Sequence, residues 1–258
     1  MRALLQLLAR LALLVVALVA AGAIYFRVAS GITHPPIAVE PGLVAEEGSG
    51  AWLYAVRTSA GVVLFDAGRD PRGRPIDRAL RALDATRGEV TDVFLTHGHP
   101  EEAAGAAAVP AARVHAGAGD VAMAAGRELP GHGLERGLVL LMPRGGTVVS
   151  DPIPREQEIA LAGGERVLAI PVPGHSPGST AYLLGGVLFA GDAVSFGGGK
   201  LAPGPSFMSA DPRQGERSIG ALARRVAALP VRRICAGHGG CTPDGSAQRL
   251  LGELAAGR

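Results

Sequence analysis

The chain has 258 residues, 48% hydrophobic and 19% charged, which is enough apolar length for one large single-core domain or two small ones and too much for a disordered chain. Formal net charge is only +2 and aromatic content 4%. With its arginines scattered rather than packed into a block, the chain lacks the clustered cations and stacking rings of a dedicated nucleic-acid surface.

Arg2 and Arg10 precede and interrupt an apolar stretch, Leu11 to Phe26, that contains no charge. This is the positive flank and apolar core of a secretory signal, with Ala21-Gly22-Ala23 as a small-residue cleavage site. Left uncut and slightly extended, it reaches the roughly 20 residues of a membrane span. The basic end favours a cytoplasmic N-terminus and an exported remainder, on the periplasmic or extracellular face, either anchored or released after cleavage. Residues 1–28 are therefore read as signal or anchor and 29–45 as linker. A globular domain follows over 46–252. Arg27 to Pro41 is punctuated by Pro and Gly, and His34 within it reads as a bystander.

Ala51 to Val56 and Val62 to Phe65, separated by Ser59-Ala60-Gly61, predict a β-hairpin whose second strand closes in Asp66-Ala67-Gly68. An aspartate there is read as a turn former. Ile76 to Leu83 has apolar residues at helical spacing with arginines between them, predicting an amphipathic helix over the sheet. Val93 to Leu95 is the next strand and delivers Thr96-His97-Gly98-His99-Pro100-Glu101-Glu102. Two imidazoles one residue apart can chelate one ion, at about 2.0–2.1 Å per zinc–nitrogen bond, if a loop holds both rings on one side. Ala103 to Ala108 predicts a helix ended by Pro110, and Arg113 to Ala116 a short strand on which His115 is packed or hydrogen-bonded rather than a ligand. Gly131 to Pro154 reads as a loop near the site mouth, with His132 solvated. A strand from Arg166 to Val172 leads into Pro173-Gly174-His175-Ser176-Pro177-Gly178-Ser179. A hairpin around Gly185-Gly186 ends in Gly191-Asp192, and a last strand, Val231 to Ala236, ends in Gly237-His238-Gly239-Gly240.

Four strand ends thus each carry a His or Asp beside glycine, which lets the backbone turn sharply and bring ligands together. This order of motifs resembles the metallo-β-lactamase superfamily, with its T-H-x-H-x-D-H, P-G-H-T/S-P-G-S, G-D and final G-H, over roughly Glu46 to Gly252. The resemblance implies an α/β fold, a four-layer αββα sandwich with metal at one edge. It assigns His97, His99 and His175 to a first zinc ion, Asp192 as bridging carboxylate, and His238 with Glu101 and Glu102 to a second ion. Glu101-Glu102 departs from the family's Asp-His. The added carboxylate shifts the second position from zinc toward manganese or iron, or empties it.

By the same resemblance the reaction is hydrolysis by a hydroxide formed on the metal, with Glu101 or Asp192 positioning it. The Gly-Asp element favours an ester, thioester, lactone or phosphoester over a β-lactam as the small-molecule substrate. Lys200, after three glycines, can attract an anionic substrate, though a lone loop lysine is usually solvated. A non-catalytic metal- or ligand-binding member of the fold and an iron-containing oxidoreductase are the alternatives. Cys235 and Cys241 bracket the His238 loop and leave three readings open: a disulfide, suited to an exported chain, a thiolate ligand in the second site, or two buried thiols.

Overall fold

The computed structural model describes residues 34–48, 50–130, 146–204 and 206–256, together with Gln6 and Arg10. Leu11 to Phe26, the Ala21-Gly22-Ala23 site, the linker up to residue 33, and residues 131–145 with His132 lie outside the described residues. Among those described, no helix is long and apolar enough to cross a membrane.

The first sheet runs β1 (Ile37–Glu40), β2 (Leu43–Glu47), β3 (Trp52–Thr58), β4 (Gly61–Phe65), β5 (Val90–Leu95), β6 (Arg113–Gly117) and β7 (Asp151–Ile153) in spatial order. It is antiparallel up to β4 and parallel from β4 to β7. The second contains β8 (Gln157–Ala160), β9 (Arg166–Pro171), β10 (Thr180–Leu184), β11 (Val187–Gly197), β12 (Lys200–Pro203) and β13 (Arg233–His238). Here β13 runs parallel to β11 and the other pairs are antiparallel.

The two-residue period of a strand decides what lies between the sheets. Val63 and Phe65 join Phe94, Tyr182 and Phe189 in the shared interior, while Val62 and Leu64 pack outward. There they meet Ile76, Ala79 and Leu80 of α1 (Arg74–Ala82). Phe65 stacks on Phe189 across the sandwich at 3.7 Å between centroids. Short helices α2 (Pro100–Ala103) and α3 (Val121–Ala124) follow β5 and β6. On the far side, Leu188 and Ala190 of β11 face the other way. They pack with Leu222 of α4 (Pro212–Val226) and Leu250 of α5 (Ala247–Ala255). The layers are therefore helix, sheet, sheet, helix, as the motif order implied.

Several expectations change in detail. The stretch read as linker supplies β1 and much of β2, because Pro41-Gly42, with Gly42 at φ 80°, closes a tight turn between two pairing strands. The helix expected over Ala103 to Ala108 starts earlier, at Pro100, and Ala104–Ala108 is 3-10. Proline at the first helical position has no amide hydrogen to leave unbonded, so it begins a helix well. The hairpin strand does not end at Gly191-Asp192 but continues to Gly197, with its register broken around Gly191. Asp192 is thus held inside a strand rather than at the end of one.

Candidate metal centre

Two loops, the first turn of α2 and the strands β11 and β13 converge at one edge of the sandwich. The turn after β5 carries His97 and His99, the turn after β9 carries His175, and all three are buried. His175 Nε2 lies 3.2 Å from His97 Nε2 and 3.3 Å from His99 Nδ1. Nitrogens bound to one tetrahedral zinc at about 2.05 Å sit about 3.3–3.4 Å apart, so these separations are the edges of such a site. Burial, and after it the neighbouring histidines, holds His97 well below its ordinary pKa; burial takes His99 and His175 down to about 4. Neutral imidazoles with facing lone pairs are metal donors.

The orientation of His97 is set from behind. Thr96 donates its hydroxyl to Asp66 Oδ2 at 2.9 Å, leaving Oγ1 to accept from His97 Nδ1 at 3.2 Å. That places the lone pair on Nε2, toward the cluster. Asp66, at φ 58° and 1% exposed, also accepts from the Thr96 amide at 2.8 Å. It therefore helps to orient the candidate ligand His97 and is not merely a turn residue, and burial pushes its carboxyl up to about 8. Gly191 packs directly on Thr96: a Cβ there would lie 2.2 Å from the Thr96 hydroxyl, at a φ of 52° that favours glycine.

Asp192 stands between the two halves of the centre, its Oδ2 3.1 Å from His238 Nε2 and 3.7 Å from His175 Nε2. Burial works to raise its pKa, but the His238 hydrogen bond and the surrounding histidines outweigh it and hold Asp192 low. His238 is raised reciprocally, chiefly by its bond to Asp192. Its side chain is 41% exposed, at the mouth of the centre.

Glu101 and Glu102 open α2 and are both buried. Glu102 Oε2 is 3.3 Å from His97 Nε2, and donor atoms of Glu102, His97 and Asp192 all lie within 4.8 Å of one another; so do those of His99, Glu101 and Glu102. Both oxygens of Glu102, Oε2 of Glu101 and Oδ1 of Asp192 are buried without a hydrogen-bond partner. Burial, then Glu101 and Asp192, drives Glu102 well above the usual carboxylate range. Buried carboxylate oxygens of this kind need a cation, so the donor set fits a divalent ion. All seven predicted site residues are thus brought to one edge, with His238 touching the cluster through Asp192.

Reasoning from sequence missed three residues. Asp120, fully buried, accepts from the Gly98 amide at 2.8 Å, the Ser176 hydroxyl at 2.5 Å and the Gly178 amide at 2.7 Å, so it ties the His97 loop to the His175 loop. Nothing around it in the sequence signals this role, apart from the glycines at 117 and 119. Arg69, after the Asp66 turn, places Nη2 4.0 Å from Glu101 Oε2. Asp66 was visible but read as a turn. His115 binds Asp92 Oδ1 at 2.8 Å and is no part of the cluster, as expected. Cys235 and Cys241 form a disulfide, which excludes thiolate ligation. A cleft of about 50 Å³ beside His175 and Asp192 is bordered by Ser206, Ser209 and Glu216.

A sequence profile of the metallo-β-lactamase superfamily matches residues 47–238. A search of curated proteins by sequence returns no match. Among solved structures, a metallo-β-lactamase of Cronobacter sakazakii with a HARLDQ motif aligns at 23% identity and TM-score 0.62, over 83% of this chain and 82% of that one. A subclass B3 metallo-β-lactamase of Bradyrhizobium japonicum aligns at 19% and 0.63, over 89% and 94%. A further B3 metallo-β-lactamase, described as having an active-site glutamic acid, aligns at 20% and 0.60, over 87% and 91%. At these identities the structural likeness is one of fold.

Proposed function

This chain belongs to the metallo-β-lactamase superfamily, and we propose that within it the protein is a metal-dependent hydrolase of an ester, thioester, lactone or phosphoester. The observation that carries this reading is the tetrahedral spacing of three neutral imidazole nitrogens beside buried carboxylates without hydrogen-bond partners. A divalent ion bound there would polarise the scissile oxygen and acidify water. His97, His99 and His175 would hold zinc in the first position; Glu101, Glu102, Asp192 and His238 would hold a second ion, zinc or the harder manganese or iron.

The chain's own groups do the rest. Asp192, kept ionised by His238, lies between His238 and His175 and would be shared by both positions. Glu101 is the most exposed of the three carboxylates, at 9% against 0% for Glu102 and 5% for Asp192. With Asp192, it would position the attacking water. An active-site glutamate is compatible with catalysis in this fold, since one B3 relative is described as having one. We further propose that Leu11 to Phe26 directs export, so that the domain works outside the cytoplasm, tethered or released.

Metal analysis of protein purified without added ions, coupled to a hydrolysis screen over the four substrate classes and β-lactams, tests the reading. One to two zinc or manganese per chain with turnover of an ester, thioester, lactone or phosphoester is expected. Bound metal without any hydrolysis would favour a binding member of the fold, and iron with a visible band an oxidoreductase. Turnover confined to β-lactams would overturn the substrate class.

A further inference from the structure

Beside the metal centre lies a cation that the motifs do not account for. Arg69 follows the Asp66-Ala67-Gly68 turn, and its side chain is only 13% exposed. Its Nη2 is 4.0 Å from Oε2 of Glu101, whose own side chain is 11% exposed. An arginine this close to a ligand-bearing helix turn is costly to bury unless it answers a negative charge.

Glu101-Glu102 supplies that charge. The family pattern has Asp-His at these positions, so with Asp192 its donor set carries two negative charges. With Glu102 ionised, as a bound cation would require, the set here carries three. Counting the Arg69 guanidinium, the set is again two units negative.

We infer that Arg69 compensates the extra carboxylate of the Glu101-Glu102 pair and returns the centre to the net charge of an Asp-His site. This rests on the reading of the cluster as a metal centre. A purely structural arginine would keep the ligands in place, and its loss would weaken metal binding. A compensating cation repels the metal, and its loss strengthens metal binding. The sign of the change therefore separates the two.

The test is the zinc affinity of the purified full chain, measured by competition with a chromophoric chelator, for wild type and for Arg69→Met, Arg69→Gln and Arg69→Lys. Removing one unit charge several ångströms away in a largely buried site should tighten zinc binding on the order of tenfold in the Met and Gln variants. Arg69→Lys, which restores the charge, should return the affinity close to wild type. Unchanged or weaker binding in both neutral variants would overturn the inference while leaving the metal centre standing. Failure of both neutral variants to fold would make Arg69 structural and overturn it equally. A wild-type chain that binds no zinc would sink the metal-centre reading, and this inference with it.

Discussion

His175 and His115 are both buried imidazoles, and what surrounds each decides its role. His175 Nε2 faces two other imidazole nitrogens at 3.2 and 3.3 Å, whereas His115 gives Nε2 to Asp92 and stacks on Phe94 at 4.4 Å between centroids. His175→Ala is expected to lose nearly all bound metal and His115→Ala to keep it. Equal loss from both would overturn the ligand assignment. The glutamates invite the reverse experiment. Glu101→Asp with Glu102→His restores the family pattern and should raise zinc content toward two per chain, since imidazole suits zinc better than a second carboxylate does. Metal analysis of the double variant decides it, and no rise would mean that the second position is structurally lost.

Elements place these residues, and the sequence revealed some elements better than others. The turns after β5 and β9 and the Gly237–Gly240 segment were legible because His beside glycine at the end of an apolar run has few other uses. The extension of β11 past Asp192 was not, because Gly191-Asp192 looks like a stop, whereas the strand resumes through the pairing of Val194 to Gly197 with β12. Asp120 was invisible for a related reason: its three hydrogen bonds are to residues 22 to 58 positions away. The disulfide belongs to this scale too. It closes β13 onto Cys241 around His238, with the Ala236 amide donating to Gly240 at 3.0 Å inside the loop. Cys235→Ala with Cys241→Ala is expected to cost about 2 kcal/mol, the closure entropy of so short a loop. It should also loosen the second metal more than the first. Thermal melts and metal titration check both parts, and equal loosening of the two ions would argue against a local role.

For the whole molecule, the buried titratable groups make metal-free stability depend on pH in two opposing ways. His97, His99 and His175 have lowered folded pKa values. Their contribution is therefore present above the unfolded value of 6.5 and lost as pH falls toward about 4. Asp66, raised to about 8, and Glu102, raised well above 4.5, contribute stability that is present at low pH and lost as pH rises through their folded values. Chelated protein should therefore be most stable between about pH 6 and 7 and weaken on both sides, while the metal-loaded protein shows a flatter profile above pH 7. Denaturant melts across pH 5 to 9 would expose a monotonic profile, which this account does not allow. The long strand β11 has a consequence of its own. Its first half is paired on both sides, by β10 and β13, while its last four residues pair with β12 across an open glycine turn at 197–199. Amide protons at 187–189 should then exchange with deuterated solvent only when the whole domain opens, and those at 196–201 through small local excursions. Asp192 lies where the slow and fast regimes meet, so one strand gives the same centre a fixed inner wall and a yielding outer rim.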